Sequence, residues 1–159
     1  MVARISHKSA SCPVARPLDA IGDWWALLIV RDAFDGLSRF GEFQKSLGLS
    51  KNILAGRLRS LVAHGILEMA PAAKESAYQQ YLLTAKGRDL FPLLTAIRQW
   101  GEAYCFEPSE GHVQLVDRRD NRPVQKVIVH AHDGRAVGPD EVIVVRDAPT
   151  APSEQTAPR

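Results

Sequence analysis

The chain holds two cysteines in 159 residues, too few for disulfides to stand in for a hydrophobic core as they do in small secreted scaffolds. No apolar run approaches eighteen residues, so the signature of a membrane-spanning helix is missing. The opening MVARISHKSASCPVARP has no apolar signal core, and the expected location is the cytoplasm. An excess of one charge is also missing. With 20 Lys+Arg against 18 Asp+Glu, composition alone does not announce a nucleic-acid binder. There is no Gly-rich phosphate loop, no His-x-Glu metal motif and no Ser/His/Asp or Cys/His/Asp set readable as a unit. The five histidines are scattered. These absences point away from an enzyme, and no cofactor is expected.

What the chain has is an uneven distribution of charge. Residues 1–106 carry 13 basic and 9 acidic residues, net +4, whereas 107–159 carry 7 and 9, net −2. Residues 50–65 contain Lys51, Arg57 and Arg59 and no acid. That stretch belongs to SRFGEFQKSLGLSKNILAGRLRSLVAHG (38–65), which reads as two helices joined by a tight turn. Ser38 is the expected N-cap of the first, which buries Phe40, Phe43 and Leu47. Gly48 supplies the positive φ that ends it, Leu49 plugs the turn, and Ser50 caps the second helix. There Ile53, Leu54, Leu58, Leu61 and Val62 form the expected buried stripe. Such a pair is a helix-turn-helix, whose second helix enters the DNA major groove.

The flanking segments extend this unit. Residues 1–16 read as a polar, basic arm. A long helix is expected from Pro17 or Leu18 to Ala33, apolar on most sides and therefore buried on most sides. Ile66–Ala70 and Gln80–Thr84 are expected strands forming a wing, with Lys74 near its tip. A further helix starts at the Thr84 cap and runs to Cys105, kinked by Pro92. Its face of Leu90, Leu93, Leu94, Ile97, Trp100 and Tyr104 exceeds what one small core needs, and a homodimer is the commonest solution. Trp24, Leu94, Ile97 and Trp100 are the expected interface. Beyond residue 106, HVQLVD, VQKVIVHAH and DEVIVVRD predict a small antiparallel ribbon, and 148–159 a disordered tail. The expected fold is thus mainly α with a β-wing: an arm (1–16), a winged helix-turn-helix (17–106), a β-rich extension (107–147) and the tail.

Ser50, Lys51 and Asn52 open the second helix of the pair, the turn that reaches base edges. Asn pairs bidentately with adenine, and Lys donates to guanine or holds a phosphate. Arg59 is an expected phosphate contact, and Arg57 either grips phosphate or is tied to a nearby carboxylate. Arg39 sits at a helix N-terminus, which favours anions. Gly56 costs about 1 kcal/mol of helix stability relative to alanine; close approach of DNA or of a neighbouring helix would account for it. Cys12 lies among Lys8 and Arg16, whose charge favours thiolate, and a Cys12–Cys105′ intersubunit disulfide is one expected response to oxidant. The competing reading is a winged helix that docks on protein and binds no DNA.

In order and spacing, CPV (12–14), LDAIGDWWALLIVRDAF (18–34), RFGEFQKSLG (39–48), LSKNILAGRLRSLVAHGIL (49–67), YLLTAKGRDL (81–90) and Trp100–Gly101 resemble the HxlR-type winged-helix regulators, relatives of the MarR class. Trp25 looks like that family's tryptophan. The resemblance implies a homodimeric bacterial DNA-binding regulator that dimerises through its first and last long helices. It also implies recognition helices in adjacent major grooves, and in some members oxidant sensing at the position of Cys12. A palindromic operator and repression are expected, with a small molecule or a thiol oxidant as the signal. Trp24 departs from the basic or polar residue usual there. The extension resembles one in which paired cysteines suggest a zinc ribbon. Those positions here hold Asp120, His130 and Asp133, so a metal-free ribbon is expected.

Overall fold

The structure is a computed structural model and describes residues 6–72 and 78–145. The chain divides into two compact units, Met1–Gln114 and Leu115–Arg159.

In the first unit the expected helix over 18–33 is interrupted. Helix α1 spans Leu18–Ile21 and α2 spans Trp24–Phe34. Between them Asp23 is extended (φ −97°, ψ 128°), and its carboxylate accepts the Trp25 N–H at 3.0 Å. An aspartate that satisfies an orphan amide makes a new helix start cheaper than an unbroken turn through Gly22. Asp32, on the inner face of α2, is buried and paired with Arg31 at 2.6 Å.

Helices α3 (Phe40–Leu47) and α4 (Lys51–Ala63) form the expected helical pair. The cap of α3 falls on Arg39 rather than Ser38, because Glu42 does the capping. Its carboxylate reaches back to accept the Ser38 and Arg39 N–H groups at 2.9 and 2.8 Å, the acidic half of a capping box. These two bonds hold the Glu42 carboxyl below its usual pKa. Gly48 has φ 64° and ends α3. Leu49 is buried in the turn, and Ser50 Oγ accepts the Ile53 N–H at 3.4 Å. Ile29, Val30, Phe43, Leu54, Leu58, Leu61 and Leu67 are fully buried and make the core. Ile53 is the exception to the expected stripe. It is 48% exposed, since position 53 turns it past the flank of the Leu54–Leu58–Leu61 line.

The wing follows as β1 (Leu67–Pro71) and β2 (Gln79–Leu83), antiparallel with Leu67 opposite Leu83 and Met69 opposite Tyr81. It is anchored at its base, where the Tyr81 N–H donates to Ser38 O at 2.7 Å and the Thr84 N–H to Ile66 O at 3.1 Å. Lys74 lies outside the described residues. Thr84 caps α5 (Ala85–Arg88), its Oγ1 accepting the Gly87 N–H. The expected single kinked helix is instead two: the chain breaks at Asp89–Leu90 and resumes as α6 (Phe91–Tyr104), with Pro92 in its first turn. There its missing N–H costs nothing, whereas inside a continuous helix the ring would strike the preceding carbonyl.

In the second unit the expected ribbon is reduced to two isolated bridges, Val116 with Pro123 and His130 with Ala136. Tight turns through Asn121 (φ 58°) and Gly134 (φ 86°) return the chain after a single pair. Pro123, without an N–H, cannot extend the first ladder. A short 3-10 helix, Pro139–Glu141, precedes Val142–Val145, which join no strand among the described residues.

Candidate nucleic-acid interface

Helix α4 has two sides. Leu54, Leu58 and Leu61 face inward and are fully buried. Asn52, Gly56 and Arg59, at i, i+4 and i+7, share the opposite face. Lys51, Asn52 and Ile53 are consecutive, exposed, and occupy the opening turn, the end where backbone amides and the helix dipole favour an anion. A Cβ built on Gly56 meets no atom within 4 Å. A neighbouring helix therefore does not require glycine there, and the middle of the face is left low and open. Both ends of α4 are fixed: Ser50 caps the start, and Lys86 Nζ donates to His64 O at 2.7 Å beyond the end.

The basic residues around α4 fall into two groups. Among the described residues Lys51 and Arg59 take part in no ion pair, and Arg59 Nε donates only to Ala55 O within its own helix. Arg57 is different. Its Nη2 lies 2.8 Å from Asp23 Oδ2, a carboxylate of the kind named in one of its two expected roles. Arg39 is exposed at the start of α3.

The expected interface residues lie on α2 and α6. Trp24 is 73% exposed, its ring edge-on to Trp25 at 5.8 Å. On α6, Leu93, Ile97, Trp100 and Tyr104 form a solvent-facing line at spacings of four, three and four, with the Trp100 and Tyr104 rings 5.5 Å apart. Leu94 turns the other way and packs half-buried on the core. Such a contiguous apolar line is uncommon on a monomer's surface. Both cysteines are exposed. The Cys12 thiol is lowered below its ordinary value by the Ala15 N–H and then the Val14 N–H. Backbone amides do this rather than Lys8 or Arg16, whose guanidinium bonds Ala10 O.

Asp23, Glu42 and Lys86 were not evident as site-shaping residues from periodicity. Asp after Gly22, and Glu three residues beyond Arg39, are helix-start signals that could have found the first two. Lys86 gives no comparable local signal, because its partner is 22 residues away.

Among the described residues no helix is long and apolar enough to cross a membrane, and no group of three His, Cys, Asp or Glu is placed to hold a metal ion.

The family model HxlR-like helix-turn-helix matches residues 20–109. Rv3095 of Mycobacterium tuberculosis, named an uncharacterized HTH-type transcriptional regulator, is 32% identical over 136 residues, covering 86% of each chain. Among solved structures, PA1607, a candidate transcription factor, is 62% identical with a TM-score of 0.85, covering 89% of this chain and 99% of that one. The reduced redox regulator HypR is 32% identical with a TM-score of 0.53, over 58% of this chain and 92% of that one. Two helices crossing at a Gly-ended turn, a two-stranded wing and this match place the fold among the winged helices, and the chain belongs to the HxlR-like helix-turn-helix family.

Proposed function

We propose that the protein is a sequence-specific DNA-binding transcriptional regulator, a cytoplasmic homodimer that represses from an imperfect palindrome with half-sites about one or two helical turns apart. The observation that carries this is the exposed, acid-free face of α4. Lys51, Asn52 and Ile53 stand free at its opening turn, and Gly56 leaves room for close approach. In this reading Asn52 and Lys51 read base edges, Ile53 offers an apolar surface to a thymine methyl, and Arg59 and Arg39 hold phosphate. Ser50 caps the helix, and Lys74, outside the described residues, is proposed as a further phosphate contact.

The exposed line on α6, together with the separately exposed Trp24 of α2, supports the dimer, since a two-fold partner would bury the same surface from the other side. A thiol oxidant acting at Cys12, with Cys105 of the second copy as its partner, or a small molecule bound beside the dimer helices, would supply the signal. The relative HypR is named a redox regulator, which favours the first. The test is selection of genomic fragments by the purified, reduced chain, followed by sequencing. Enrichment of a palindromic site is expected. The absence of any enriched site, together with capture of a protein partner by the same face, would replace DNA with protein as the target.

A further inference from the structure

The Asp23 carboxylate does two things at once. One oxygen caps α2 by accepting the Trp25 N–H at 3.0 Å, and the other meets Arg57 Nη2 at 2.8 Å. The side chains are 19% and 37% exposed, so the pair is shielded from salt more than an ion pair in open solvent. Arg57 lies on the flank of α4, between its buried leucine line and the exposed Asn52–Gly56–Arg59 face. Residues 50–65 contain no acid, so this tether comes from outside the helix. It comes from the N-cap of α2, the residue before Trp24. The leucine stripe and the contacts at its two ends seat α4, and the ion pair adds a restraint on its roll midway along; base-edge hydrogen bonds are lost by displacements well under an ångström.

We propose that Asp23 and Arg57 are positioning residues for DNA reading. The pair fixes the roll of α4 so that Lys51 and Asn52 meet base edges, and Arg57 is thereby withdrawn from the phosphates. This rests on the DNA-binding function proposed above.

The experiment uses the full chain and two duplexes, the enriched site and a scrambled one, with Asp23→Asn, Arg57→Gln and the double variant. Asparagine keeps the cap of α2 and removes the charge. Each single variant is expected to bind the enriched site about three- to tenfold more weakly while binding the scrambled duplex as before, which is a tenth to a third of the original discrimination. The double variant should be no worse than the weaker single one. The salt dependence of Arg57→Gln should match that of the wild type, because no phosphate contact is lost. Mere loss of folded protein would lower both duplexes alike and is read independently from the thermal transition. A salt slope reduced by about one phosphate in Arg57→Gln would overturn the proposal, as would additive effects in the double variant or an unchanged discrimination. Lys51→Ala separates the two levels. If it weakens binding while Asp23→Asn does not, DNA reading stands and the tether falls.

Discussion

Replacing Gly87 by alanine tests the joint between the wing and the last helices. A Cβ there would lie 2.2 Å from Ile66 O, 3.0 Å from Leu83 Cδ2 and 3.2 Å from Ile66 C. The leucine methyl can rotate away; the carbonyl cannot move freely. Ile66 O already accepts the Thr84 N–H at 3.1 Å, while the Thr84 hydroxyl donates chiefly to the adjoining Gly65 O at 2.6 Å and more weakly to Ile66 O at 3.2 Å, and the same threonine caps α5. Relieving a contact about 1 Å too short must displace the turn that closes the wing. Overpacking of this kind costs about 1–3 kcal/mol, and weakening the bonds to Ile66 O adds about 1 kcal/mol. Alanine returns about 0.4–1 kcal/mol by narrowing the unfolded ensemble, which leaves a net loss of about 1–3.5 kcal/mol. Urea unfolding followed by circular dichroism should show a lower midpoint with an unchanged slope. Gly56→Ala is the control: with no atom within 4 Å of its Cβ, it should gain up to about 1 kcal/mol. A Gly87→Ala protein as stable as the wild type would refute this account of the joint.

Three further outcomes are expected. Ile97→Glu or Trp100→Glu should convert a dimer to a monomer in sedimentation velocity and weaken binding to a palindrome about tenfold or more, because two half-sites are then bound separately. Cys12 should alkylate faster than Cys105 near neutral pH, with the advantage shrinking as pH rises past the ordinary thiol range, and Cys12→Ser should abolish a diamide-induced intersubunit band. Glu42 has a folded-state pKa below its unfolded one. Its contribution to α3 is therefore full above the unfolded carboxyl range and lost as pH falls through the folded value. Loss of exchange protection at the Ser38 and Arg39 amides in acid, absent in Glu42→Ala where the bonds are already gone, would show it.

Local chemistry made much of the first unit legible. Gly48, Leu49 and Ser50 each have one cheap conformation or partner, and the structure places each as its residue type requires. What periodicity could not weigh was competition between continuing a helix and restarting it. Asp23 and Pro92 each break a segment whose apolar spacing runs straight through them, because a cap or a missing N–H outweighs one more helical turn. Ile53 shows the limit of assigning faces by spacing: it lies at the border of the stripe, and the packing of Leu54 and Leu58 decided which way it turned. In the extension, β-branched runs such as Val142–Val145 express strand preference. Pairing, however, depends on neighbours that Pro123 and the tight turns at Asn121 and Gly134 do not supply. For the site, residue types picked out the surface of α4. The ion pair of Arg57 involves an acid 34 positions away that no local pattern links to it.

The most direct test of DNA reading by α4 is an anisotropy titration of the full, reduced chain with the enriched duplex and a scrambled one at several salt concentrations. It should include Asn52→Ala and Arg59→Ala. The account predicts an enriched site bound about a thousandfold or more tighter than the scrambled duplex, with affinity falling linearly in log salt. Arg59→Ala should make that line shallower by about one phosphate, and Asn52→Ala should erode discrimination without changing the slope. Equal affinity for both duplexes, or affinity indifferent to salt and to both substitutions, would contradict it.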